Sequence, residues 1–420
     1  MTDAVVESET PAPRGARGDG PARLIARRLL RRLDAGTVVI VEGDRESRFG
    51  ESGPVVRVVV HDARAYAAVL RQGSVGFGAS YADGWWDCDD LTGLVRVLVR
   101  ATAPLGRRAD RWARTIAPAR TLRRRATGSD RSRDRANIRA HYDISNEFFE
   151  LMLDETMMYS CAFFEDPAVS LAEASTAKLE RLCRKIGLGP DDHVLEIGTG
   201  WGGFALHAAT HHGARVTTTT ISDAQFEYAR RRIRDAGLGD RVTVLNQDYR
   251  ELDGVFDKLV SIEMIEAIGW REQDTFFTTC ARLLRPEGVM GLQAIVIDDR
   301  SYERAKGRED FIKSMIFPGG FLPSIESMVR SMASSTDLRV VDLEDIGRHY
   351  AETLRRWRAN LAQNADRVAA LGLGRRFERV WHMYLCYCEG AFLERHVSDV
   401  QLVLARDRWR GALGPLTTRG

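Results

Sequence analysis

Between residues 190 and 300, short apolar runs alternate with longer stretches whose apolar positions recur every three to four residues. HVLEI, RVTTTT, RVTVLNQD, DKLVSIEM and GVMGLQAIVI have the length and β-branched content of strands, and residues 203–212, 223–236 and 274–284 have the helical period. Strands alternating with helices predict an α/β fold with a doubly wound, mostly parallel sheet. The pattern is different near the N-terminus. TVVIVEG and VVRVVVHD read as strands, and PARLIARRLLRRL (residues 21–33) reads as a short basic amphipathic helix with Leu24, Ile25, Leu29, Leu30 and Leu33 near one face. This organisation gives a disordered tail over 1–20, a smaller α+β domain over 21–104, a basic linker over 105–137 and a main domain over 138–410. No repeat recurs at a fixed period.

Composition narrows the class. With 44% apolar and 29% charged residues, the 420-residue chain can build a real core and is not a disordered polymer. No run approaches the roughly 18 apolar residues that a spanning helix needs. The acidic, polar start MTDAVVESETPAPRG lacks the basic-then-apolar pattern of an export signal, so a cytoplasmic location is expected. The formal charge is only +2, but it is uneven: the chain has five lysines, and eleven arginines against three aspartates fall within 105–137. Such a run reads as a solvated linker, as a surface for anionic lipid head groups or as a nucleic-acid contact. The six cysteines form no C-x-x-C pair and no histidine completes a zinc spacing, so neither a metal nor a disulfide is expected.

The densest chemical signal is Val194-Leu195-Glu196-Ile197-Gly198-Thr199-Gly200-Trp201-Gly202-Gly203, a strand running into a glycine-rich turn and then a helix. Glycines there let a ligand approach the backbone at the carboxyl end of the strand. The spacing is not the dinucleotide fingerprint G-x-G-x-x-G. Glu196, just before the turn, would repel a diphosphate and suits a cation. Asp248, at a later strand end, suits an adenine amino group or a helix cap equally well.

These residues resemble the class I S-adenosylmethionine-dependent methyltransferases and, more narrowly, the cyclopropane-fatty-acyl-phospholipid synthase family. Further segments carry the likeness: His141 to Phe149, Leu153 to Phe164, Thr220 to Gln225, Ser261 to Glu266, Ile316 to Pro323 and, in longer members, Tyr81 to Trp86. The resemblance implies a Rossmann-like methyltransferase sheet that binds S-adenosylmethionine through Tyr159, Ser160, Glu196, Gly198, Gly200, Trp201, Gly202, Thr220, Gln225, Asp248 and Tyr249. It implies one-carbon transfer to the cis double bond of an unsaturated acyl chain in a membrane phospholipid, with a peripheral contact at the inner face of the membrane and no nucleic-acid partner. A homo-oligomer is compatible with it.

An alkene methylated at one carbon leaves a cation at the next, so water must be excluded and a base must take one proton. The resemblance implies a bound bicarbonate as that base, cradled by Cys161 through its backbone, Glu266, Tyr350 and the segment Gln293-Ala294-Ile295. FFELML, Phe163, Phe164 and IFPGGFLP are candidate walls of an apolar tunnel, or ordinary core. Three departures from the commonest family pattern stand out: Gln293 in place of His, Ala267 after Glu266 in place of His, and Thr199 in place of Cys. The first two lie near the expected base and leave a cyclopropane ring and a 10-methylene chain as rival products, the latter calling for a separate reductase. The competing functions are a methyltransferase for a soluble small molecule and a non-catalytic lipid- or nucleic-acid-binding module.

Overall fold

The computed structural model describes residues 20–101 and 145–411. The linker, residues 1–19 of the tail and residues 141–144 of the first upstream motif lie outside the described residues.

The N-terminal part holds a four-stranded sheet in the order β2-β1-β3-β4, from β1 (Thr37–Glu42), β2 (Arg45–Phe49), β3 (Val55–Val60) and β4 (Trp86–Cys88). A two-residue turn joins β1 to β2, with Glu42 opposite Arg45, and Gly43 supplies the positive φ of +56° that such a turn requires. Helices Arg64–Gln72 and Ser74–Ala82 follow β3. The second of these seats the whole unit. A Cβ on Gly78 would lie 2.1 Å from the ring of Phe311, so only glycine allows this approach. Arg379 donates to the carbonyls of Tyr81 and Trp86 at 2.6 and 2.9 Å, the Tyr81 hydroxyl lies 2.8 Å from His382 Nδ1, and Arg96 and Arg100 clasp Glu394. The Tyr81 to Trp86 motif is thus the clamp that docks the small unit on the helix Gly374–Leu393.

The main sheet has seven strands in the order β10-β11-β9-β8-β5-β6-β7. They are β5 (His193–Ile197), β6 (Arg215–Thr220), β7 (Val242–Asn246), β8 (Phe256–Ile262), β9 (Leu284–Ile297), β10 (Arg339–Asp345) and β11 (Val397–Ala405). Strands β5 to β9 pair in parallel, and β11 adds antiparallel to β9 and β10 to β11. The expected mostly parallel, doubly wound sheet is present. Strand pleat divides its core: Val194, Val260, Val289 and Val403 pack on one face with the helices Leu171–Ile186 and Gly203–His211. Their neighbours Leu195, Leu259, Met290 and Leu402 pack on the other face with Gln273–Leu283.

The order in which strands are added reverses at β5, so the carboxyl ends of β5, β6 and β8 open onto a shared crevice. The expected strand DKLVSIEM stops short at Ile262. Glu263 takes φ +48°, a left-handed backbone that breaks the ladder. The Gly20–Leu30 helix forms, but its apolar residues divide. Leu30 and Leu33 pack inward, Arg23 and Arg27 pair with Glu42, and Leu24, Ile25 and Leu29 face outward at 70, 52 and 48% exposure.

Candidate active site

The crevice is a cavity with about 1120 Å³ of space free of protein atoms. Ten of the eleven residues expected at the cofactor line it: Tyr159, Ser160, Glu196, Gly198, Gly200, Trp201, Thr220, Gln225, Asp248 and Tyr249. Gly202 does not. It precedes the helix Gly203–His211 with φ +87°, and a Cβ added there would lie 3.2 Å from the Ala229 Cβ, so its glycine serves helix packing. The turn after β5 is tied down by the N–H groups of Gly198 and Thr199, which both donate to the Thr219 carbonyl at 3.0 Å. Trp201 donates to Asn146 Oδ1 at 2.8 Å, joining this turn to the upstream helix.

The polar lining fits a nucleoside carrying a cation. Thr220 donates to Gln225 Oε1 at 2.9 Å, and among the described residues the Gln225 amide N–H groups meet no acceptor. Asp248 caps the short turn Tyr249–Glu251 and pairs with Arg250 at 2.6 Å, as the cap reading expects, and it also lines the cavity. Glu196 is 3% exposed and accepts from Thr218 at 2.6 Å. Burial pushes its carboxyl up to about 8, against the Thr218 hydrogen bond and the charge of Lys178. A cation beside it would draw it back into the ionised form.

The far end of the cavity is built differently. Glu263, held just past β8, has a carboxylate with three donors: the Cys161 backbone N–H at 2.7 Å and Gln293 Nε2 at 2.8 Å on Oε1, and the Tyr350 hydroxyl at 2.5 Å on Oε2. Gln293 Nε2 also donates to Asp399 Oδ2 at 2.9 Å, while its carbonyl accepts from Gln401 at 3.2 Å. Lys178, fully buried, donates to Ser160 Oγ at 2.6 Å, and its charge acts on Glu263 and Asp399. Glu266 accepts the Ile295 N–H at 2.6 Å on one oxygen and leaves the other buried without a partner.

Burial pushes all three acids up. Glu266 reaches about 8, with the Glu263 charge as second cause, Glu263 rises despite Lys178 and its three donors, and Asp399 lies well above the carboxylate range. Desolvation also raises the Tyr350 hydroxyl and the Cys161 thiol, so Tyr350 stays a donor and Cys161 stays a thiol. Cys161 enters the cluster through its backbone.

This arrangement corrects the expected bicarbonate cradle. Cys161, Tyr350 and Gln293 do converge, but on the Glu263 carboxylate, and Glu266 with Ile295 forms a separate pair. A planar oxyanion does not fit among donors that already hold one. The sequence reading gave no role to Glu263, Lys178 or Asp399. Signals existed: Glu263 ends a central parallel strand, Asp399 interrupts the apolar run of VSDVQLVLA, and Lys178 is one of five lysines. The candidate wall residues are largely core. Phe148, Phe149 and Phe164 are buried, Arg356 stacks over Phe164, and Arg181 stacks over Phe163. Elsewhere, Cys183, His207 and His212 bring ligand atoms within 4.8 Å of one another, which spacing along the chain did not reveal, but Glu180 already lies 3.3 and 2.9 Å from the two rings.

A parallel doubly wound sheet, an acid and a glycine turn at its central strand and a cavity at the strand ends together define an S-adenosylmethionine-dependent methyltransferase. Within that class the chain belongs to the mycolic acid cyclopropane synthetase family, whose model matches residues 129–402. It is 39% identical to the tuberculostearic acid methyltransferase UfaA1 of Mycobacterium tuberculosis over 94% of each chain. It is 36% identical to the cyclopropane-fatty-acyl-phospholipid synthase of Escherichia coli K12, over 81% of this chain and 85% of that protein. Among solved structures, the mycolic acid cyclopropane synthase CmaA1 in complex with SAH and CTAB superposes with a TM-score of 0.59 at 31% identity, covering 65% of this chain and 98% of that one.

Proposed function

We propose that this enzyme adds a one-carbon unit to the cis double bond of an unsaturated acyl chain in a membrane phospholipid. Bound S-adenosylmethionine would supply an electrophilic methyl group, held by the cavity residues at the ends of β5 and β6. The likeness to UfaA1 along 94% of both chains carries this reading and favours a 10-methylene product over a ring.

The protein's own share is to shelter and quench a carbocation. Tyr159 packs 5.2 Å from Trp357 and 6.3 Å from Phe317, and Tyr350 stacks on Phe392 at 4.5 Å. Tyr159 lines the cavity, where its ring would offer a negative face to a cation, and the rings packed behind it help to keep water out. The SAH- and CTAB-bound relative supports a long-chain ligand beside the cofactor, since CTAB is a single-tailed amphiphile. A second cavity lies between the helices Gly347–Gln363 and Gly374–Leu393. Leu361, Val368, Trp381 and Leu385 line it together with Arg355 and Arg358, a combination suited to an acyl chain and its phosphate.

Access from the bilayer is assigned to the Gly20–Leu30 helix, whose outward Leu24, Ile25 and Leu29 alternate with the exposed Arg28. On this reading the enzyme works as a peripheral protein at the inner face of the membrane. A methylene product would need a separate reductase to become a methyl branch.

The test is to express the protein in a host fed oleate and methyl-labelled methionine, and to analyse membrane fatty acids by chromatography and fragmentation mass spectrometry. Labelled chains one CH2 heavier, with fragments placing an exocyclic methylene, are expected. A ring would keep the acyl reading and change the product. Folded protein with no labelled lipid would overturn the reading.

A further inference from the structure

We propose that the Glu263 carboxylate is the base of this enzyme, built into the seat that the family resemblance assigns to bicarbonate, and that turnover needs no bicarbonate. The inference rests on the acyl-chain reading above and deepens it.

Three observations converge. The first is the donor set. A base fixed by the Cys161 N–H, the Gln293 amide and the Tyr350 hydroxyl has both carboxylate oxygens oriented by the protein, with no exogenous anion to recruit. The second is backbone strain. Glu263 sits at φ +48°, where side-chain-bearing residues are uncommon and cost on the order of 1 kcal/mol or more. A glycine would adopt this geometry freely, so the side chain is kept against a local preference, and its hydrogen bonds offset the strain. The third is position. Glu263 and its neighbour Met264 line the same cavity as Gly198 and Ser160, so the carboxylate is in reach of whatever the cofactor methylates.

The chemistry balances. The alkene π pair forms the new C–C bond to the methyl carbon, the sulfonium sulfur keeps the pair of the broken S–C bond, and the adjacent chain carbon is left cationic. Glu263 then takes one proton from the added methyl group. The freed C–H pair either closes a three-membered ring on the cationic carbon or, after a 1,2-hydride shift has moved the cation to the methyl-bearing carbon, forms an exocyclic C=C bond. Glu263 ends protonated and returns the proton to solvent once the cavity opens. Glu266 is the weaker candidate: it is absent from the cavity lining, and one of its oxygens is held by the Ile295 N–H.

The experiment uses full-length enzyme, methyl-labelled S-adenosylmethionine and dioleoyl phosphatidylglycerol vesicles in buffer stripped of carbon dioxide, with and without added bicarbonate. The wild-type rate is expected to be the same in both. Glu263→Gln should lower kcat by about a hundredfold or more, with SAH affinity by calorimetry unchanged. Glu263→Gly should lose the same activity and regain part of it with bicarbonate. A binding readout runs beside the kinetics: the carbon-13 signal of labelled bicarbonate should broaden with Glu263→Gly and not with wild type. A wild-type rate that depends on bicarbonate, bicarbonate binding to wild type, or near-normal turnover by Glu263→Gln would each overturn the proposal. If wild type labels no lipid, the acyl-chain reading fails, and the bicarbonate-binding contrast still decides whether Glu263 fills the anion seat.

Discussion

Glu263 and Glu266 lie three residues apart and meet different surroundings. One has three donors, and the other has one and a bare oxygen. The groups facing Glu263 are Lys178, Glu266, Asp399, Tyr350 and Cys161, and burial dominates its shift upward. As pH falls through that raised value the base takes a proton, so kcat should fall on an acid limb lying above the ordinary carboxylate range. The apparent value belongs to the carboxylate cluster as a whole. Lys178→Met removes the buried cation that favours the ionised form, so it should move this limb to higher pH and destabilise the fold by about 3 kcal/mol. A pH–rate profile and a denaturant titration measure both.

Glu196 makes a separate, stability-linked prediction. Its folded value is raised from 4.5 to about 8, so its contribution to stability is complete below 4.5 and is lost as pH rises through about 8. The melting temperature of ligand-free enzyme should decline over that window, and less steeply in Glu196→Gln. The sequence marked Glu196, Gly198, Gly200 and Asp248 because a strand-turn-helix motif is local. It did not mark the role of Glu263, because only folding brings residues 161, 293 and 350 onto one carboxylate.

Among elements, the Ser74–Ala82 helix shows how one small residue sets an interface. Phe311 is fully buried against it, and a methyl group at position 78 would overlap the ring. Gly78→Ala should therefore cost about 1–3 kcal/mol, since a packed core takes extra volume only by shifting. Thermal unfolding would show it, and an unchanged transition would mean that the helix is free to slide. Strands β5 to β9 and the helices between them were legible to within a few residues because both periods are strong there, whereas β10 and β11 were not expected. Strand β8 ended early because a left-handed residue stopped it, and β9 ran four residues beyond the expected start.

For the whole molecule, the small N-terminal unit is bolted to the long helix Gly374–Leu393 and presents its basic helix to solvent. Replacing Leu24 and Ile25 with Asp should weaken cosedimentation with anionic vesicles and leave SAH affinity unchanged. Equal vesicle binding would remove this helix as the membrane contact.

The sequence by itself determined the doubly wound sheet, the glycine turn at its central strand and the family, because each rests on periodicity or on motifs contiguous along the chain. Tertiary structure alone decided what fills the base seat. The donors come from the segment after the upstream helix, from β9 and from the helix Gly347–Gln363, and the carboxylate that they hold comes from the end of β8. Hydrogen bonds reach only about 3 Å, so residues more than a hundred positions apart can share one proton acceptor only after the chain has packed.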